Sequence, residues 1–299
     1  MAIPESQLNT WANQGSITQS ATTYGMIKNA LEEPSAKYDI RNFKVFLQGS
    51  YGNDTNIYAE SDVDVVIRYD GAFFHDVEHL PTDQQAAFHA VHSDGKYPYD
   101  TFKSDVRMAL ATAFNDSVEP GGKKAIKIKA NGTRRNADVV VAYEYRRYHK
   151  FNGLHDESHV TGICFRTDTG TLIANYPKQH SENLAAKHAA TNKNFKPLVR
   201  IFKNMSSKLV DDGILQKGQA PSYYIEGLIY NVPNDKFSGT YAQIVLNVLN
   251  WLYATTDRSK FVCANEQYYL LRDNFPTSWP IADGNKFIDA AIKLWNNWQ

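Results

Sequence analysis

The chain has 299 residues, enough for one large domain or two modest ones, and its 32 Lys+Arg against 32 Asp+Glu leave a formal net charge of zero. That balance excludes a global basic field of the kind that holds nucleic acid by default, while leaving room for a local patch. Cys164 and Cys263, the two cysteines, lie far apart; they exclude a disulfide framework and a cysteine-based zinc site and read as inert thiols in a reducing cytoplasm. The opening Met-Ala-Ile-Pro-Glu lacks the basic and apolar parts of a signal peptide, and no apolar run reaches membrane-spanning length. A cytoplasmic globular protein with no membrane partner is the expectation.

In chain order, residues from Glu5 to Glu33 predict one long helix, with Leu8, Trp11, Ile17, Tyr24 and Ile27 at roughly helical spacing and Gly15 and Gly25 as places for a kink. Strands are predicted near 43–49 and 61–69. Residues 70–100 are polar, aromatic and His-bearing and read as an insertion without an assigned role. Asp100 to Asn115 reads as a helix, because Phe102, Val106, Leu110 and Phe114 recur every four residues. Lys123–Ala130 and Asn136–Tyr143 read as strands joined through Asn131-Gly132, a strong hairpin signal. A second hairpin is predicted from Ile163–Thr167 and Thr171–Ala174 around Asp168-Thr-Gly170. Beyond Pro177 the texture is helical, over about 178–191, 194–211, 221–231, 240–256 and 284–297. The fold class is therefore α+β: a mixed catalytic lobe over 1–176 with the long N-terminal helix, then a helical lobe over 177–299, with the active site expected in the cleft between them.

The chemistry concentrates in Leu47-Gln-Gly-Ser-Tyr51 and Ser61-Asp-Val-Asp-Val65. In a strand, residues two apart share a face, so Asp62 and Asp64 would project together with Val63, Val65, Val66 and Ile67 behind them. Like charges that close repel unless cations sit between them. Oxygen ligands with open positions suit Mg2+, which prefers one or two carboxylates plus substrate phosphates, with Mn2+ able to substitute. Two such ions would clamp the attacking and leaving oxygens of a phosphoryl transfer. Gly49 lets backbone approach a phosphate, and Ser50 offers a hydroxyl and an N–H at a predicted helix N-terminus. Either half alone is common; together, on successive strands, they point to catalysis. Asp138, in the apolar strand Asn136-Ala-Asp-Val-Val-Val-Ala142, is the candidate third metal ligand, against the plainer reading of an acid at a strand edge.

In the helical part, Lys196, Arg200 and Lys203 fall on neighbouring helical positions. A solvated basic stripe is the plain reading; Lys203 is the candidate for triphosphate contact. Ser222 stands at a predicted helix start, as an N-cap, a phosphate contact or both, with Glu226 in the capping-box neighbourhood. Tyr223 or Tyr224 is a candidate to stack on a base, or a core residue. His89-x-x-His92 and His155-x3-His159 have ligand-like spacing but no convergent partners, so no zinc is expected. Lys123, Lys124, Lys127, Lys129, Arg134 and Arg135 read as a solvated hairpin face that leaves RNA contact open, and the Trp295-Asn-Asn-Trp298 ending reads as a packing anchor.

Taken together, Gly49-Ser50, Asp62-x-Asp64, Asp138, Lys203 and Ser222 resemble the bacterial cGAS/DncV-like nucleotidyltransferases (CD-NTases) of the DNA polymerase β-like superfamily. The resemblance spans nearly the whole chain and is nearest to clade E, carried also by Thr55-Asn-Ile57, Asn175-Tyr-Pro-Lys178, Pro221-Ser-Tyr223 and Tyr230-Asn-Val-Pro233. It implies a polymerase β-like core sheet and an enzyme that joins two or three NTPs into a cyclic oligonucleotide, releasing pyrophosphate, for an effector in anti-phage defence. It implies that Asp62 and Asp64 hold both metals, that Asp138 helps activate the attacking hydroxyl, and that Lys203 and Ser222 hold the triphosphate. Asn175 matches an asparagine linked in clade E to the choice of uracil, which makes UTP and ATP the leading substrates; a turn role before Tyr-Pro is the alternative. The two cysteines exclude the zinc ribbon of the animal sensor, so control by double-stranded DNA is not expected; an RNA activator stays open, and a monomer is expected. The competing readings are a nucleotidyltransferase acting on an RNA, protein or small-molecule acceptor, and a non-catalytic nucleotide-binding protein.

Overall fold

The computed structural model describes residues 2–15, 17–38, 42–58, 62–119 and 124–298; Ser61 and Lys123, which figure in the readings above, lie outside the described residues. The chain runs through α1 (Glu5–Ala12), α2 (Thr18–Leu31), β1 (Phe43–Gln48), the one-turn α3 (Gly49–Gly52), β2 (Val63–Asp76), α4 (Thr82–Val91) and α5 (Tyr99–Phe114). It continues with β3 (Ile126–Ile128), β4 (Ala137–Phe151), β5 (Glu157–Arg166), β6 (Leu172–Asn175) and α6 (Pro177–Ala190). The last elements are α7 (Phe195–Asp211), α8 (Ser222–Tyr230), α9 (Tyr241–Ala254) and α10 (Ile281–Asn296). None of these helices is long and apolar enough to cross a membrane.

Two compact units result. A sheet unit comprises Thr18–Gln48 and Asp62–Pro177; a helical unit comprises Met1–Ile17, Gly49–Ser61 and Lys178–Gln299. The lobes expected from the sequence, 1–176 and 177–299, divide the chain once, whereas these units divide it four times. The physical reason lies in α1, whose Leu8 and Ala12 are buried in the core of the helical unit. The single long helix expected over Glu5 to Glu33 is likewise two helices. The chain leaves α1 after Ala12, and the Gly15 N–H donates to the Asn56 carbonyl at 3.1 Å. A Cβ at Gly15 would lie 2.7 Å from the Ile57 backbone, an approach only glycine permits.

The sheet unit is built on six strands in the order β1-β2-β4-β5-β6, with β3 paired to the start of β4. The β2–β4 pair is parallel and the others are antiparallel. Val63, Val65, Val66 and Ile67 of β2 and Val139, Val141 and Ala142 of β4 are buried, the near-continuous apolar run a parallel pair demands. Ile27 and Leu31 of α2 and Phe102, Val106 and Leu110 of α5 complete this core. Each such side chain contributes roughly 1.5–3 kcal/mol by burial. Both predicted hairpins are present: Asn131 and Arg134 exchange backbone hydrogen bonds, and Gly170 at φ +82° closes the Thr167–Thr171 turn. Residues 70–100 are not a plain insertion. β2 runs on to Asp76 across a register shift between Tyr69 and Phe73, and the following α4 buries Phe88 against Val77, Leu80, Tyr148 and Phe151. Pairing with β4 overrides the loop-like composition there.

In the helical unit α7 is central. Leu198, Val199, Phe202, Met205 and Leu209 pack with Ile225, Leu228, Val248, Trp279 and Phe287 from the surrounding elements. The start of α9 is closed by a capping box between Thr240 and Gln243. Glu5 also accepts from the N–H groups of Tyr241 and Ala242 at 2.9 and 2.7 Å, tying α1 to that helix end.

Candidate active site

Strand pairing sets the acids of the sheet unit. Gln48 pairs with Asp64, Asp64 with Asp138, and Asp138 with Lys127, so these four stand in one cross-strand row on one face. Val63, Val65 and Val139 point the other way into the core. Asp62 was expected inside the strand; it lies one residue ahead of β2 and is exposed. Its charge still reaches Asp138. Burial pushes the Asp138 carboxyl above its ordinary range, Lys127 pulls it back, and Asp62 and Glu119 push it further up.

The row suits a hard divalent cation. Carboxylates are forced side by side, only one lysine of the row offsets them, and the Gln48 Oε1 is buried without a hydrogen-bond partner among the described residues. Among the described residues no group of three or more His, Cys, Asp or Glu is placed to hold a metal ion. An incomplete carboxylate set is what phosphoryl-transfer cations use, because substrate phosphates supply the remaining oxygens.

Asn175 ends β6, opposite Ile163. Its Oδ1 accepts from the Tyr176 N–H at 2.8 Å, which leaves a second lone pair and the amide NH2 for a base edge. Its backbone is tightly held: a Cβ at Gly162 would lie 2.5 Å from the Asn175 carbonyl and 2.8 Å from the ring of the buried Tyr176.

In the helical unit Gly49 adopts φ +70°, a conformation that favours glycine, and opens α3. That helix is a single turn, so the helix-dipole advantage expected for Ser50 does not develop; the Ser50 carbonyl accepts from the Thr55 N–H at 2.9 Å. Lys203 is buried and donates to the Thr55 carbonyl at 2.8 Å. Ser222 is the first residue of α8; the N-cap is Pro221, with no side-chain cap bond, so the capping role read from the sequence is absent. Lys203 and Ser222 do come together, lining one cavity of about 440 Å³ with Ser206, Lys217 and Gly218. Tyr223 stacks on His180 with ring centroids 4.9 Å apart, and its hydroxyl accepts from Asn265 Nδ2 at 3.0 Å. Burial drives the Tyr223 hydroxyl far above its ordinary pKa. Of the basic stripe, Lys196 pairs with Asp54 at 2.9 Å. Arg200 is buried and donates to the carbonyls of Ala12 and Asp54, each at 2.6 Å. It is a structural clamp, which a stripe of helical positions does not reveal.

Two features escape the sequence reading. Lys217 lines the Lys203–Ser222 cavity from a loop that carries no motif. Glu226, read there as a cap neighbour, is a fully buried carboxylate bonded to Thr55, Asn53 and His180. The available signal was its place between Ile225 and Leu228 on an apolar helix, where a carboxylate requires partners.

A family model described as the cGAS/DncV-like nucleotidyltransferase C-terminal helical domain matches residues 182–296. The chain is 38% identical over 299 residues to the cyclic UMP-AMP synthase of Rhodothermus marinus, covering 100% of this chain and 99% of that protein. It is 34% identical over 298 residues to the cyclic dipurine nucleotide synthase of Elizabethkingia meningoseptica, covering 99% and 98%. The solved structure of the Rhodothermus marinus CdnE c-UMP-AMP synthase with Apcpp and Upnpp matches with a TM-score of 0.88 at 37% identity, over 99% of this chain and 97% of that one.

Proposed function

This chain belongs to the bacterial cGAS/DncV-like nucleotidyltransferases of clade E, and from that premise we propose that it joins UTP and ATP into a cyclic dinucleotide, a second messenger for an effector in anti-phage defence. The observation that carries the reading is the register pairing of Asp64 with Asp138, under the charge of Asp62. Asp62, Asp64 and Asp138 would hold two Mg2+ ions, or Mn2+ in their place. Bound there, such ions stabilise charge on the attacking and leaving oxygens at the α-phosphorus.

The chain's own residues do the rest. Asp138, in register with Asp64, accepts the proton of the ribose hydroxyl that attacks the α-phosphorus of the second nucleotide. The bond to the β-phosphate oxygen breaks and pyrophosphate leaves. A second attack, by a hydroxyl of the other nucleotide, closes the ring and releases a second pyrophosphate. Lys203 and Ser222 hold the triphosphate, with Gly49 and Ser50 beside it, and Tyr223 supports the nucleotide end of α8. Asn175 selects uracil. Relatives of similar likeness are named for UMP-AMP and for dipurine products, so the shared fold does not by itself fix the bases.

The test is purified protein with Mg2+ and all four NTPs, each radiolabelled in turn, followed by phosphatase, chromatography and mass spectrometry. A phosphatase-resistant product labelled by UTP and ATP is expected. Asn175→Ser should move the product ratio toward purines by about tenfold, the order that the net worth of one hydrogen bond supplies. A cyclic product without uridine would remove the base assignment. Label transferred to an RNA or protein acceptor would replace cyclisation altogether.

A further inference from the structure

Glu226 lies four residues after Ser222 on α8, so one rigid helix carries both. Its carboxylate accepts from the Thr55 hydroxyl, from His180 Nε2 at 2.7 Å and from Asn53 Nδ2 at 3.5 Å. Thr55 is the junction of the network. Its hydroxyl meets Glu226, its carbonyl takes the Lys203 ammonium at 2.8 Å, and its N–H donates to the Ser50 carbonyl at 2.9 Å. The Asn53 N–H donates in turn to the Gly49 carbonyl at 3.1 Å. His180 is itself fixed by its stack on Tyr223.

Burial alone would raise the Glu226 carboxyl; the His180 bond and charge, the Lys203 charge and the Thr55 hydroxyl outweigh it and hold the group below its ordinary range. The carboxyl of Glu226 is thus buried on an otherwise apolar helix face, between Ile225 and Leu228, with hydrogen-bond donors about it. Buried ion networks seldom stabilise a fold more than apolar residues of the same size would. What this network does supply is linkage: one carboxylate gathers donors from Asn53 and Thr55 and from His180, far away in the chain.

We propose that Glu226 is a positioning residue: through Thr55, His180 and Asn53 it holds Lys203, Ser222 and the Gly49–Thr55 segment in the arrangement that receives the NTP triphosphate. This rests on the nucleotidyltransferase reading of those residues. The network keeps Lys203 oriented before substrate arrives, so binding needs no reorganisation of the ammonium.

The test compares Glu226→Gln, Thr55→Val and the conservative Thr55→Ser with the parent, measuring melting, calorimetric binding of ATP and UTP with Mg2+, and steady-state turnover. In Glu226→Gln and Thr55→Val the NTP Kd and KM should rise about tenfold, with kcat within about threefold. Thr55→Ser keeps the hydroxyl and should behave as the parent. The Glu226→Gln/Thr55→Val pair should be little worse than either single change, because both cut one network. Parental KM in a folded Glu226→Gln protein, or effects of the two changes that multiply, would overturn the proposal. Should Glu226→Gln not fold, the Thr55→Val and Thr55→Ser pair decides it alone. Parent protein that neither binds nor turns over NTPs would remove the function reading and this proposal together; an active parent with an indifferent Glu226→Gln removes only this one.

Discussion

In the sheet unit Asp64 pairs in register with Asp138, the charge of Asp62 reaches Asp138, and Lys127 is the lysine of their row. In the helical unit the buried Glu226 is matched by Thr55, Asn53, His180 and Lys203. The same functional group thus stands among other acids in one place and among hydrogen-bond donors in the other. The acids of the strand row have acidic neighbours, whereas Glu226 gathers three hydrogen-bond donors on its two oxygens. The pKa directions follow, up for Asp138 and down for Glu226.

Substitutions can break this contrast. The largest effect belongs to Asp64→Ala, expected to lower turnover by at least about a thousandfold while the melting temperature holds or rises, since a like-charge repulsion is removed. Residual turnover near the parent level, with an intact fold, would remove the metal-ligand role. Arg200→Ala should do the converse. It strips partners from the Ala12 and Asp54 carbonyls, so stability should fall by about 2–4 kcal/mol in denaturant titration. A loss under about 0.5 kcal/mol would mean that water replaces the guanidinium there. The smallest effect is expected of Lys217→Ala: an NTP KM two- to fivefold higher at low salt, the difference fading as salt is raised, with melting unchanged. A KM equal to the parent's at low salt would take Lys217 out of the triphosphate cavity.

Much of this was legible from residues alone. Asp64 and Asp138 could be chosen because each is an acid near the start of an apolar run, and both hairpins announced themselves through Asn131-Gly132 and Asp168-Thr-Gly170. The helices after Pro177 followed from apolar spacing. What was not legible depends on distant partners. Gly15 breaks the first helix because of the backbone at Ile57, forty-odd positions along. Residues 73–76 extend the strand because β4 is long enough to pair with them. Arg200 reads as one more cation on a stripe until the carbonyls it reaches are known. Glu226 was hidden by an easier local explanation, the capping box, which the structure does not contain.

The fourfold passage of the chain between units bears on how such a protein can be divided by a protease or by recombination. The helical unit is stitched from three stretches, so no single segment encodes it. A fragment starting at residue 178 would lack Leu8 and Ala12, which fill its core, and the carbonyls at Ala12, Asp54 and Thr55 that Arg200 and Lys203 bind. The block recognisable at 182–296 is therefore a mark of ancestry and not a separable part. Exchange between relatives at that junction would graft a helical block onto foreign versions of residues 2–15 and 49–58, and the Thr55 junction would have to match on both sides of the splice.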